Sequence, residues 1–366
     1  MANIDLKEFV NINIVRHETS SAYNIRDTIL LYTPEVHTSN MVNDKDTYTG
    51  LITSKSEASL YFADNSITLA YLQKYFDNGG IKVLVVENTD IKNLTASMLH
   101  ELDNKYICVA YAYSNTDMSA TYDSIKNIVK DLNELTSGLD EKLFLCRNTN
   151  IDEAKVKNLV VKYSTEVGAE MTIGAYLSQM DVYGNDTVYD YAFTEENIAA
   201  SDLDNTTFRA LMSNNYNVDI ELANSIRNCG GNCKNGDDLV NTYVLIILHQ
   251  TLTNALINLL GQKLKNSQGI AQIYSSISQE LEKYLASGYL ATDKIWSYDD
   301  YVVNVNGVNY TIIEKGTPLV KGYSIKVLPF TSLSEAQKEQ RLAPEVYVIL
   351  ADQYGIRKIT ITGEVF

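Results

Sequence analysis

Apolar and polar positions alternate in different ways along this chain, and the changes mark its organisation. Residues 9–15 (FVNINIV) alternate with a period of two, which predicts a short, half-buried strand. Polar residues 16–24 follow, then a second strand over Thr28–Tyr32 that stops at Pro34, and residues 35–50 read as loop. Ser66 reads as the N-cap of a helix through Phe76, with Ile67, Leu69, Ala70, Leu72, Tyr75 and Phe76 as its apolar stripe and Gly79-Gly80 as its stop. Unbroken apolar runs at 81–87, 106–113, 142–146 and 159–163 predict buried strands. Stretches near 94–104, 119–136, 151–157 and 168–180 predict helices between and after them. Such alternation argues for an α/β layer with a partly parallel sheet.

The second half differs. Residues 204–233 are polar, contain glycine and give no clear element, whereas 237–265 reads as one long helix, acidic at its start and lysine-bearing at its end. A linker with Gly269 separates it from a helix over 271–288 that ends on a glycine. YVVNV-NG-VNYTII (301–313) predicts a hairpin, because Asn306-Gly307 fits a two-residue type I′ turn between β-branched residues. Further strands are predicted at 323–328 and 346–350, with a short polar helix at 332–344 between them. A closing alternating strand is predicted at 357–366.

The 366 residues suffice for two domains, or for one carrying an insertion. A net charge of −16 repels phosphate backbones and anionic lipid headgroups, which argues against nucleic-acid binding and favours solubility. The N-terminus lacks a basic region followed by a long apolar core, and six polar residues interrupt the most apolar stretch, Val244–Leu260; neither a signal peptide nor direct membrane insertion is expected. Cys108 and Cys146 lie in apolar runs and read as core residues. Cys229 and Cys233 (NCGGNC) have the wrong spacing for a zinc knuckle and read as a glycine-rich turn, so no metal and no cofactor is expected.

No nucleophile elbow, phosphate loop or zinc-protease motif is present in the sequence. The nearest phosphate-loop imitation, Gly230–Gly236, is followed by Asp237 where a lysine is required. His17, His37, His100 and His249 are scattered, and the pairs Glu195-Glu196 and Asp299-Asp300 read as solvated loops. The 26 tyrosines suit interfaces, or equally strand propensity in a chain with one Trp and eight Phe.

Four stretches carry a resemblance. They are VNINIVRHETSSAYNIRDTILLYTP, YTGLITSKSEASLYFADNSITLAYLQKYFDNGGIKVLVVE, the pair CGGNCKNGDDLVNTYVLIILHQTLTNALINLLGQK and GIAQIYSSISQELEKYLASGYL, and RLAPEVYVILADQYGIRKITITGEVF. In order they resemble an N-terminal strand with a polar arm and first core strand, a short helix, second helix and strand after a glycine turn, a long helix pair, and a closing Ala-Pro strand with a terminal strand. This layout is similar to the contractile phage tail sheath family, in its compact two-domain branch. Residues 114–235 match only in their alternation of elements, and Tyr354-Gly355 stands where family members often have Gly-Ala.

The resemblance implies a mixed α+β and α/β fold. An inner assembly domain would be built from both chain ends (1–25 and 265–366), with 26–264 as an inserted α/β domain facing outward. It implies a structural subunit, not an enzyme, that forms hexameric rings in a helical lattice around a tail tube protein, with baseplate and tail terminator proteins as further partners. Assembly would take place in the host bacterial cytoplasm and the product would sit in a virion tail. Both chain ends would add strands to neighbouring sheets, through Val10, Ile12 and Ile14 at one end and Ile359, Ile361 and Val365 at the other. The alternative is that the two ends pair with each other. Residues 321–366 carry six cationic against five acidic residues, and Glu335, Lys338 and Arg341 mark a helix that could face the tube, or a solvated face. Two other readings stand beside this one: a cytoplasmic α/β enzyme with an unrecognised site, and another tail structural component.

Overall fold

In a computed structural model of the protein, the apolar strands predicted between 81 and 163 join one eight-stranded sheet. The structure describes residues 12–15, 28–37, 50–102, 106–135, 142–181, 190–259 and 267–351. These fall into two units. One holds the described residues from 28 to 246, and the other holds 12–15 and 247–351.

Strand β1 (Ile12–Val15) belongs to the second unit. The first unit begins with β2 (Thr28–Tyr32), β3 (Gly50–Ile52), α1 (Lys55–Tyr61), α2 (Ile67–Asp77), β4 (Lys82–Val86), α3 (Ala96–His100), β5 (Cys108–Tyr111) and α4 (Met118–Leu135). It continues with β6 (Leu143–Arg147), β7 (Leu159–Tyr163), α5 (Met171–Gln179), α6 (Asn205–Ser213), β8 (Asn217–Leu222), β9 (Ser225–Cys229) and the start of α7 (Leu239–Ile257). The sheet order is β3-β4-β2-β5-β6-β7-β8-β9. The six inner strands run parallel, and β3 and β9 close the two edges antiparallel. All five residues of β6 are buried, so both faces are covered, which is why these strands read as unbroken apolar runs.

Local chemistry sets the ends of the helices. Ser66 Oγ accepts from the Leu69 amide, and Glu35 adds a second cap, its carboxylate accepting from the Ile67 and Thr68 amides at 3.0 and 2.8 Å. Those bonds outweigh the cost of burial and hold the Glu35 carboxyl below its usual range. Gly168, at φ +80°, turns the chain into α5, and a Cβ there would lie 2.8 Å from the Tyr71 backbone. A Gly168→Ala variant is expected to lose about 2–3 kcal/mol, combining left-handed strain with overpacking. Urea denaturation would measure it, and an unchanged midpoint would mean the backbone there yields freely.

Two expectations in this unit need correction. Residues 151–157 form no helix. The Asp152 amide donates to Tyr216 Oη at 2.9 Å and Asp152 Oδ1 accepts from the Ala154 amide at 2.9 Å, so side-chain bonds claim the groups a helix would use. The helix expected over 94–104 is confined to Ala96–His100 among the described residues. The stretch left unassigned, 204–233, contains α6, capped by Asp204, and the β8–β9 hairpin, whose turn is Ala223-Asn224 with both residues at positive φ.

The second unit holds the rest of α7, then α8 (Ser267–Ala286), β10 (Tyr301–Val305), β11 (Val308–Ile313), β12 (Tyr323–Val327), α9 (Glu335–Glu339) and β13 (Val346–Leu350). Helix α7 is long and apolar enough to cross a bilayer by length and composition, yet 61% of it is buried inside the molecule, as in a core helix. Gly269, expected in a linker, lies within α8. The end of α8 is as expected: the Tyr289 amide reaches the Tyr284 carbonyl at 3.1 Å over Gly288 at φ +82°. The hairpin forms in the predicted register, with Asn306 and Gly307 at φ +52° and +82°, the positive pair a type I′ turn demands. The strand expected at 357–366 lies outside the described residues.

Candidate assembly interface

Three strands of the second unit form a small sheet in the order β1-β13-β12. Strand β13 is central. It pairs antiparallel with β12 (Ile325↔Val348, Val327↔Val346) and parallel with β1 (Ile12↔Val346, Ile14↔Val348). A strand from near the start of the sequence thus lies beside one from near its close, and β13 is the one strand paired with β1 among the described residues.

Packing explains why β13 sits in the middle. Tyr347 and Ile349 join a core of Trp296, Ile312, Leu319 and Leu328, with Val303 and Tyr310 of the hairpin packed against it. Tyr323 of β12 hydrogen-bonds to α8, its hydroxyl 2.8 Å from Ser278 Oγ and donating to Glu282 Oε1 at 2.7 Å. Strand β13 carries apolar side chains throughout (VYVIL), and its first four residues are buried.

Helix α9 is pinned to the hairpin turn. Ser334 and Gln337 form a capping box, and Asn306 Nδ2 donates to the Ser332 carbonyl at 2.7 Å and to Gln337 Oε1 at 2.9 Å. Asn306 therefore serves both as turn former and as the tie that orients α9.

Among the expected site residues, Ile12 and Ile14 occupy β1, opposite Val346 and Val348 of the same chain. Val10, Ile359, Ile361 and Val365 lie outside the described residues. Glu335 and Lys338 are exposed and form an ion pair at 2.7 Å. Arg341 does not continue that helix. It sits beyond the end of α9 at φ +61°, where the Arg341 and Leu342 amides close on the Lys338 and Gln337 carbonyls, so the three residues do not share one helix as expected.

Sequence reasoning missed two buried charge clusters in the first unit. Arg147 stacks on Tyr113, its guanidinium carbon 4.6 Å from the ring centre, and donates from Nη2 to the Tyr113 carbonyl at 2.6 Å. Its Nε lies 3.4 Å from Glu170 Oε2. Tyr71 Oη donates to the other Glu170 oxygen at 2.6 Å. Burial pushes the Glu170 carboxyl up, and Arg147 pulls against it. The second cluster joins Lys162, Glu196 and Asp219. Here the reading of Glu195-Glu196 as a solvated pair needs correction: Glu195 is exposed, but Glu196 points inward and pairs with Lys162. The one available signal was a charge closing or interrupting an apolar run, in KLFLCR and LVVKY.

No protein-family model matches the sequence, and no curated protein matches it. Solved structures do resemble it. The whole chain aligns with a whole chain of the cryo-EM structure of the anti-feeding prophage baseplate, at TM-score 0.67 and 13% identity. It also aligns over 100% of its length with 99% of a chain of the anti-feeding prophage helical sheath in the contracted state, at TM-score 0.64 and 13% identity. A sheath tail protein from Desulfitobacterium hafniense aligns over 79% of this chain and 92% of its own at TM-score 0.54 and 8% identity. At these identities the likeness is one of fold: a mixed α/β architecture with a large mixed sheet, as found in contractile sheath proteins.

Proposed function

We propose that this chain is the structural subunit of a contractile sheath, polymerising as stacked hexameric rings around a tail tube and contracting to drive the tube through a host envelope. The observation that carries the reading is the β1-β13-β12 sheet, in which an edge place is filled by a short strand from a chain end. Full-length likeness to a helical sheath supports it.

The physics of assembly follows from that edge. Among the described residues β1 is paired on one side, and a short strand so placed is weakly held. A neighbour's strand of the same sequence offers the β13 backbone the same hydrogen bonds, so exchange between copies links subunits without new chemistry. Residues 12–15 and 247–351 group as one unit, which supports an inner assembly domain drawn from both chain ends (1–25 and 265–366), with the α/β part (26–264) facing outward. Glu335, Lys338 and Arg341 lie on the exposed surface around α9 and are our candidates for contact with the tube. Baseplate and terminator proteins would bind the ends of the polymer, which would be built in a bacterial cytoplasm and released as part of a virion or free particle tail.

The role is mechanical rather than catalytic. The buried Arg147–Glu170 cluster spends its charges on fold contacts, and the N-terminus of α2, where a phosphate could bind, is filled by Glu35. Energy for contraction resides in the difference between two packings of one rigid subunit. Negative-stain microscopy of the purified chain tests this. Tubes of uniform diameter are expected, and a persistently monomeric protein at high concentration would count against the reading.

A further inference from the structure

The first unit contains an ionic cluster whose charges do not balance. Lys162 of β7 is fully buried, and its Nζ is bonded to Glu196 Oε2 and lies 3.0 Å from Asp219 Oδ1 of β8. Glu196 and Asp219 are 4% and 1% exposed. Thr172 Oγ1 of α5 and Tyr191 Oη accept from the same ammonium at 2.8 and 3.0 Å, and Tyr191 donates to Glu196 Oε1. Among the described residues, Asp219 Oδ2 has no hydrogen-bond partner. One ammonium therefore faces two carboxylates, leaving one uncompensated negative charge and one bare carboxylate oxygen away from water. Such an arrangement is costly unless a proton joins it.

Among the described residues, the other ionisable groups near the cluster do not cancel that charge. Cys229 of β9 is a buried thiol close to Asp219. Glu170 is already engaged by Arg147 and Tyr71. Arg227 points outward to Glu195. The cluster also bridges segments that differ in how they are held: β7 and α5 belong to the sheet and its cover, whereas Tyr191 and Glu196 lie on an irregular stretch that bonds to the β8–β9 hairpin through its backbone. The Phe193 amide donates to Asn228, the Asn228 amide to Thr194, the Glu196 amide to Ile226 and the Ser201 amide to Asp219, at 2.7, 3.0, 3.0 and 2.8 Å.

We infer that Lys162, Glu196 and Asp219 form a one-proton clasp: Asp219 takes up a single proton beside the Lys162–Glu196 pair, and that proton fastens residues 190–201 and the β8–β9 hairpin to β7. With the proton bound, the cluster is neutral and Asp219 gains a donor for a neighbouring oxygen. With it lost, a lone buried charge draws water in and loosens the segment.

The pH at which this happens follows from the surroundings. Burial pushes the Asp219 carboxyl up to about 7; Lys162 pulls it down and Glu196 adds to the rise. The closed state thus holds a proton that an open, hydrated Asp219 releases. The stabilisation is complete below the ordinary carboxylate range and is lost as pH rises through about 7, the reverse of the usual acid weakening.

Hydrogen exchange on the full chain at pH 6 and pH 8 tests this, with rates corrected for intrinsic chemistry. Protection of the Phe193, Glu196 and Ser201 amides is expected to be about tenfold higher at pH 6, the response of one linked proton. Asp219→Asn should remove that difference and hold protection near its pH 6 level. Glu196→Gln leaves one carboxylate for one ammonium and should also flatten it, which keeps the test intact if Asp219→Asn fails to fold. Equal protection at both pH values in the wild type, or the tenfold difference surviving in either folded variant, would overturn the clasp.

Discussion

A chain lacking residues 358–366 is expected to remain a soluble, folded monomer and to form no tubes. The expected loss of polymer is complete, because the terminal ITITGEV pattern has strand periodicity and, on the proposed reading, is donated to a neighbouring copy. Fold and assembly should separate. Among the described residues, the eight strands of the large sheet lie between 28 and 229 and the core around Trp296 and Tyr347 between 296 and 351, so circular dichroism and the urea midpoint are expected to change little. Sedimentation and negative-stain microscopy would read the polymer. Normal tubes from the truncated chain would sink the exchange of terminal strands while leaving the fold untouched.

The second large effect concerns Arg147 and Glu170. Replacing Arg147 by Met strands the Glu170 carboxylate in the interior and removes the donors to the Tyr113 carbonyl and Asn115. The expected cost is about 3–5 kcal/mol, a large share of the stability of an ordinary domain. The double variant Arg147→Met with Glu170→Met should cost clearly less than the sum of the two single changes, since no lone charge is left behind. A urea-denaturation cycle measures this. Additive costs would show that the two side chains act separately despite their contact.

Much of this architecture was legible because the signals were local and redundant. In α2, Ser66, an apolar stripe and Gly79 all pointed to one helix, and the strands at 28–32, 82–86 and 159–163 read as apolar blocks. The Asn306-Gly307 turn needed only two residues to be recognised. What escaped detection depended on distant partners. The β8–β9 turn uses Ala223-Asn224, where the alanine gives no hint of a left-handed conformation. The expected helix at 151–157 lost to a tyrosine at 216, and no window of adjacent residues contains both. In the interface, the strand near the start was visible from its alternation. Its partner was not, because a parallel pairing across more than 300 residues leaves no trace in local periodicity.

While β1 lies on β13 of its own molecule, the subunit shields part of an edge that would otherwise recruit any passing extended segment. On the proposed reading, a growing polymer displaces a tethered competitor at every addition, so growth on an ordered template outpaces spontaneous starts, and purified chain forms its tubes after a lag.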